Sequence, residues 1–271
     1  MRPSFAKLSI VVLLAVAAPA ADAAAETLRL GGTGTAIGML QKVGAEFTAA
    51  DGGTINVVPN LGSAGAIKAL ADGVIDLAVS ARPLKPDEAA AGMRQVAVMR
   101  TAYVLATSNR YPTALKSTDL PRIFATENAA WPDGKPIRII LRPRSETDTE
   151  LLGKLFAGMG DAIESARRRV DVPVAATDQD NAALAERMPG SLTGITVTQL
   201  TTERRDMRIV PLDGLTPTLA NVESGAYPFV KSLYFVIRSK DAAQAQRFVD
   251  YLRSPQGVQA LRETETLPGI E

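Results

Sequence analysis

Short apolar runs that break into glycine-rich turns, each followed by an amphipathic helix, constrain this chain more than any other feature. Residues 27–30 (TLRL) read as a strand that runs into Gly31-Gly32-Thr33-Gly34-Thr35. Ile37, Leu40, Val43 and Phe47 then recur at three-four spacing, which predicts a helix, and Asp51-Gly52-Gly53 stops it. The unit repeats as a strand over 55–58, the turn Gly62-Ser63-Ala64-Gly65, a helix carrying Ile67 and Leu70, and a buried-type strand over 74–79. Lys85-Pro86-Asp87-Glu88 marks another helix start. Further strands are predicted over 96–99, 103–107, 137–141, 194–198, 207–210 and 233–237. Further helices are predicted over 117–124, 149–159, 161–168, 179–188, 218–224, 241–252 and 255–262. Strands separated by helices imply an α/β fold with mostly parallel sheets.

Histidine and cysteine are both absent. Their absence excludes disulfides, a thiol nucleophile, zinc held by thiolate or imidazole, and any mechanism with a histidine general base. Lys plus Arg number 30 against 29 Asp plus Glu, a formal charge of +1, which argues against a generic nucleic-acid binder. At the N-terminus, Arg2 and Lys7 flank the start of an apolar run over 8–18, and small residues follow from Pro19 to Ala25. This is the pattern of a secretory signal over 1–25, with cleavage between Ala23 and Glu26. The run is shorter than the roughly 20 residues of a spanning helix, although an uncleaved anchor is the other reading. Cleavage removes Arg2, Lys7 and Asp22 and leaves 28 basic and 28 acidic residues. The product is then a soluble exported chain of about 246 residues, held by its own core, as its length permits.

Three loops share one chemistry. Gly32-Thr33-Gly34-Thr35, Gly62-Ser63-Ala64-Gly65 and Ser145-Glu146-Thr147-Asp148-Thr149 each fall between a strand and a helix. Glycine lets backbone approach a ligand closely, the first N–H groups of a helix favour negative charge, and hydroxyls add donors. Arg142 stands just before the third loop, and Arg82 just after the strand that ends at Ser80. A guanidinium holds an oxyanion bidentately, so these parts together form a candidate anion cradle. Each part also has a plainer reading, as an N-cap for the turns or a surface ion-pair partner for Arg142. Arg167-Arg168-Arg169 reads as a solvated helix end, and Asp76 as a structural hydrogen-bond partner near a strand end. The first loop lacks the Gly-Lys-Ser/Thr of a phosphate-binding NTPase loop, and Ile37 stands where a dinucleotide fingerprint needs glycine.

The ordered set of motifs resembles the solute-binding proteins of phosphate-type ABC transporters over almost all of the chain after the signal. The set begins at Leu30-Gly31-Gly32-Thr33-Gly34-Thr35 and continues through 62–70 and Gly73-Val74-Ile75-Asp76-Leu77-Ala78-Val79-Ser80-Ala81-Arg82-Pro83-Leu84-Lys85. Trp131-Pro132-Asp133-Gly134-Lys135-Pro136-Ile137, Arg142, Gly225-Ala226-Tyr227-Pro228-Phe229, Phe235-Val236-Ile237 and 245–257 follow in family order. The resemblance implies a two-lobed periplasmic-binding-protein-like fold, each lobe a mostly parallel sheet flanked by helices, with a hinge and the ligand in the cleft. Lobe 1 would comprise 26–101 plus 233–271 and lobe 2 would comprise 102–232, with Arg100 to Tyr103 and Ser232 to Tyr234 as hinge segments.

The implied function is capture of a small phosphate-like oxyanion by a periplasmic monomer and delivery to a membrane ABC permease, with no enzyme activity, cofactor or metal. The resemblance carries ligand contacts onto Thr35 with the Ala36 N–H, Ser63, the Ser80-Ala81 region and Arg142; Arg82, Ser145 and Thr147 complete the candidate set. Two departures bear on the ligand. Ala81 stands where the family places Asp or Ser, and Glu146 and Asp148 stand where it places neutral donors. Each carboxylate at about 4 Å from an anionic charge would cost about 4 kcal/mol at an effective dielectric of 20. The alternatives are therefore a periplasmic sensor or scaffold of the same fold that takes an organic acid, another anion or nothing. An exported enzyme using Glu146 and Asp148 is disfavoured, because residues two apart do not face each other on a helix.

Overall fold

The computed structural model describes residues 27–51, 53–240 and 242–269; the expected signal over 1–25 lies outside them. In chain order the elements are β1 (Thr27–Gly32), α1 (Gly34–Asp51), β2 (Thr54–Val58), α2 (Gly62–Ala71), β3 (Leu77–Ser80), α3 (Pro86–Ala90) and β4 (Met93–Thr107). Next come α4 (Leu120–Ala125), β5 (Arg138–Ile139), α5 (Thr147–Leu155), α6 (Met159–Arg167), α7 (Asp178–Arg187), β6 (Ser191–Thr196), α8 (Val197–Thr202) and β7 (Arg208–Ile209). The chain closes with α9 (Leu219–Ser224), β8 (Val230–Arg238), α10 (Ala243–Arg253), α11 (Pro255–Glu263) and β9 (Leu267–Pro268).

The α/β class is as expected. One strand path runs β2-β1-β3-β8-β4-β6-β5, with β7 and β9 pairing off it onto β4. β1 lies parallel to β2 and β3, and β5 parallel to β6, while β8 and β4 run antiparallel to each other. The strands expected at 96–99 and 103–107 are one strand, β4, whose polar residues Arg100 and Thr101 are paired with β8 rather than turned into a loop. Its first part pairs with β8 through Ala102, opposite Val230, and its end pairs with β6 from Tyr103.

Two main hydrophobic cores lie along that strand path. One gathers Leu28, Leu30, Leu40, Phe47, Leu77, Phe235 and Phe248. The other gathers Tyr103, Phe124, Trp131, Ile139, Phe156, Leu192 and Phe229. The β4–β8 pair passes from one to the other. In the first core, Phe47 of α1 meets Phe248 of α10 edge-on, with ring centroids 5.3 Å apart. Gly32 lets β1 close on β3, since a Cβ there would lie 2.4 Å from the Val79 carbonyl oxygen. The Thr33 N–H donates to that same oxygen at 2.9 Å, and α1 starts immediately after it.

Arg167 and Arg169 depart from the expectation of a solvated helix end. Arg167 Nη2 donates to the Arg142 carbonyl at 2.7 Å, and Arg169 Nη1 to the Thr126 carbonyl at 2.9 Å. Backbone carbonyls of other segments recruit both guanidinia. Asp76 sits just before β3 and is gripped by Arg29 (2.8 Å) and Arg238 (3.4 Å). The core packing gives a direct prediction. Phe248→Ala removes a fully buried ring and should cost about 3–5 kcal/mol, read as a lower denaturant midpoint with an unchanged slope.

Candidate functional site

At the junction of the cores, five ionisable side chains converge. Arg142 and Lys231 supply positive charge; Asp148, Asp178 and Glu146 supply negative charge. All but Glu146 are buried. Lys231 stands on β8, in register with Thr101 on β4, so the strand pair carries its ammonium into the junction. Asp148 lies in the first turn of α5 and Asp178 at the first position of α7. The α7 start is fixed by a capping box between Thr177 and Asp180.

Asp178 joins elements of both cores. Its Oδ2 accepts the Thr35 N–H at 2.8 Å and the Thr33 hydroxyl at 3.4 Å, and its Oδ1 accepts Arg142 Nη2 at 3.0 Å. Arg142 also donates to the Ala175 carbonyl and, at 3.4 Å, to Glu146 Oε2, while its Nε has no partner. Lys231 Nζ is paired with Asp148 and donates to Thr35 Oγ1 at 3.0 Å. The Tyr103 hydroxyl is buried beside this cluster without a partner.

Electrostatics follow from this packing. Burial alone would push the Asp178 carboxyl up, but Lys231, Arg142, the Thr35 N–H and the Thr33 hydroxyl outweigh burial and hold it below the usual aspartate value. Burial also opposes charge on Lys231, and Asp148 and Asp178 more than restore it. Asp148 is held above its usual value, because burial and the charge of Asp178 exceed what Lys231 returns. Glu146 is likewise raised by burial, with Arg142 offsetting only part. Burial, then the charges of Asp148 and Asp178, push the Tyr103 phenol well up, so it stays protonated.

The eight expected site residues fall into three places. Thr35 and Arg142 meet in the charged junction through Asp178. Ser63, Arg82, Ser145 and Thr147 line an adjoining cleft of about 330 Å³, which Glu146 and Glu150 also face. There the Ser63 hydroxyl accepts the Ala81 N–H at 2.9 Å, and Arg82 is clamped bidentately by Glu88 at 2.6 and 2.8 Å. Ser80 and Ala36 are fully buried with their donors engaged: the Ser80 hydroxyl donates to the Arg82 carbonyl, and the Ala36 N–H to the Thr33 carbonyl. A smaller cavity of about 90 Å³ lies between Gly34, Gly62, Arg142, Glu146 and Asp178.

Sequence reasoning passed over Lys231 and Asp178. Lys231 had a signal, as a lone cation opening the apolar run Leu233 to Ile237. Asp178 had none, since an acid in the first turn of a helix is commonplace.

A family model described as a PBP superfamily domain matches residues 17–256. No curated protein matches the sequence. Among solved structures, one assigned as a phosphate ABC transporter substrate-binding protein, from Clostridium perfringens with bound phosphate, superposes with a TM-score of 0.77. It is 16% identical and covers 90% of this chain and 100% of that one. A phosphate-binding protein from Stenotrophomonas maltophilia gives 0.66 at 15% identity, with 91% of each chain covered. The periplasmic molybdate-binding protein of Azotobacter vinelandii gives 0.60 at 13% identity, with 90% and 99% covered. At such identities the likeness carries the fold.

Two predictions follow from the charge cluster. Lys231→Met leaves Asp148 buried without its ion-pair partner and should cost about 3–5 kcal/mol in chemical denaturation, with part of the loss recovered in Lys231→Met/Asp148→Asn. The second concerns pH. Asp178, held low, gives stability that is present above about pH 3.9 and is lost as pH falls through its folded value. Asp148 and Glu146, held high, add stability below about pH 4 that is lost as pH rises through their folded values. The thermal midpoint should therefore rise from pH 7 into the mildly acidic range and drop below about pH 4. A steady fall from pH 7 downward would contradict this assignment.

Proposed function

This chain belongs to the PBP superfamily, and on that premise we propose that it is the exported solute-binding protein of an ABC-type importer for a small phosphate-class oxyanion. The observation that carries the reading is convergence: the N-terminus of α1, Arg142 and Lys231 meet at one buried locus between the cores. Helix amides, a guanidinium and an ammonium are the donor set that an oxygen-rich anion needs. The lobes are 26–101 plus 233–271 and 102–232, and the segments Arg100 to Tyr103 and Ser232 to Tyr234, whose strands meet at the Arg100–Ser232 pair, form the hinge. An anion that touches both lobes favours their approach, and the closed form of the monomer docks on a membrane permease. Residues 1–25 direct export to the periplasm, and among the described residues no helix is long and apolar enough to cross a membrane.

A second reading has its own support. Asp178 and Asp148 already engage the donors that a solute would use, which suits a sensor or scaffold of this fold that takes another anion, an organic acid or none. Calorimetric titration with phosphate, sulfate, molybdate and small organic acids separates the two. The first reading expects one oxyanion to saturate a single site, and Arg142→Ala to weaken it about 100-fold, the worth of a charge-assisted hydrogen-bond pair. Unchanged affinity in a folded Arg142→Ala variant would overturn the site; no binding by any anion would favour the second reading.

A further inference from the structure

The contacts of Asp178 have the form of a bound oxyanion. One carboxylate oxygen sits on the Thr35 amide in the first turn of α1 and on the Thr33 hydroxyl; the other sits on the guanidinium of Arg142. The donors on α1 belong to the side of the first core, whereas Asp178 rides on α7, whose Ala182 and Ala185 pack in the second. The carboxylate thus spans the junction. Its seat is also shaped for it. A Cβ on Gly34 would lie 2.6 Å from Asp178 Cβ and 2.7 Å from its Oδ2. Gly34 begins an ordinary helix and its φ does not lie in the left-handed region, so the backbone does not require glycine there. The room for Asp178, and for the Gln179 amide beside it with its Oε1 also 2.7 Å from that Cβ, does.

Neighbouring charge points the same way. A phosphate dianion arriving with Asp178 in place would face Asp178, Asp148 and Glu146 together, against two cations that already have partners. It can take the Thr35 N–H only by displacing the carboxylate.

We infer that Asp178 is the built-in occupant of the anion seat: it sets the oxyanion selectivity of the site and ties the two halves together across it. The inference rests on the oxyanion reading above for its account of selectivity, and on geometry alone for the tie. Displacing Asp178 frees the Thr35 N–H for a solute, leaves Arg142 with Glu146 alone among carboxylates, and removes the one side-chain carboxylate that joins α1 to Arg142 among the described residues.

The test uses the mature full-length chain and two variants. Asp178→Asn keeps the shape and removes the charge; Gly34→Ala keeps the charge and denies it the seat. Phosphate and molybdate are titrated calorimetrically, and each protein is also measured without added anion by small-angle scattering and by hydrogen exchange at the Thr35 amide. The expected result is at least tenfold tighter phosphate binding by Asp178→Asn than by the wild type. A larger radius of gyration and faster Thr35 exchange are expected in both variants. Equal or weaker phosphate binding by Asp178→Asn overturns the selectivity role while leaving the oxyanion reading standing. If neither protein binds phosphate or molybdate, the oxyanion reading falls and the tie is judged by shape. Expansion and faster exchange then support it, and unchanged values overturn it. Should Asp178→Asn not fold, Gly34→Ala alone decides by the same two measurements.

Discussion

Placing Lys231, Asp148, Arg142 and Asp178 out of water at one point is the constraint on which the rest of this structure depends. Each buried ion costs several kcal/mol of lost hydration, and only close, well-directed partners return it. The arrangement answers this in full for Asp178, which has an amide, a hydroxyl and a guanidinium, and nearly so for Lys231, which has Asp148 and Thr35. Arg142 keeps one nitrogen without a partner. Such pairing has direction, unlike apolar packing, so it selects one relative placement of α1, α5, α7 and β8. Two oily cores could meet at many angles; these four charges permit few.

The strands explain how the charges come to the same point. β4 is long enough to serve both cores, and β8 pairs with it across the junction, with Thr101 opposite Lys231. Nearby, the Thr198 hydroxyl bonds Thr101 at 2.7 Å and lies 3.0 Å from the Thr266 hydroxyl, so a second buried polar set fastens α8 and the segment before β9 to the same crossing. The crossing is made of paired strands rather than of loops. It therefore preserves the register that delivers Lys231 to Thr35 and Asp148.

Much of the fold was legible in the sequence because its signals are local. Glycine-rich stops, three-four spacing and the run Phe235-Val236-Ile237 each report on neighbours within a turn or two. β4 was legible only in pieces: its polar residues Arg100 and Thr101 look like a break until β8 supplies their partners. The site was legible in part. Thr35 and Arg142 were visible because a helix start after Gly-Thr-Gly and an isolated arginine before a loop are both local signs of anion chemistry. Asp178 was not visible. Its partners Thr33, Thr35 and Arg142 lie 145, 143 and 36 residues away, and nothing in Thr177-Asp178-Gln179-Asp180 separates it from a helix-capping acid. The departures at Glu146 and Asp148 were visible as excess negative charge, but the compensating Lys231 comes from a strand 83 residues beyond Asp148.

On the oxyanion reading, an internal carboxylate and a free oxyanion would compete for the same donors on unequal terms. Helix amides and a guanidinium respond to negative oxygen whatever its source, so the seat itself does not discriminate between Asp178 and a solute. What discriminates is the tether. A site that is competent only for the fraction of time its occupant is away binds with affinity reduced by that fraction. An occupant seated 99% of the time costs a solute about 100-fold, roughly 2.7 kcal/mol. Weak carboxylates and monoanions are then shut out, and only a ligand that gathers more donors than Asp178 can pass. On the proposal above, the same occupant also joins α1 to α7, beside the Gln179 amide on the Gly34 carbonyl, so solute selection and the contact between the halves share one side chain.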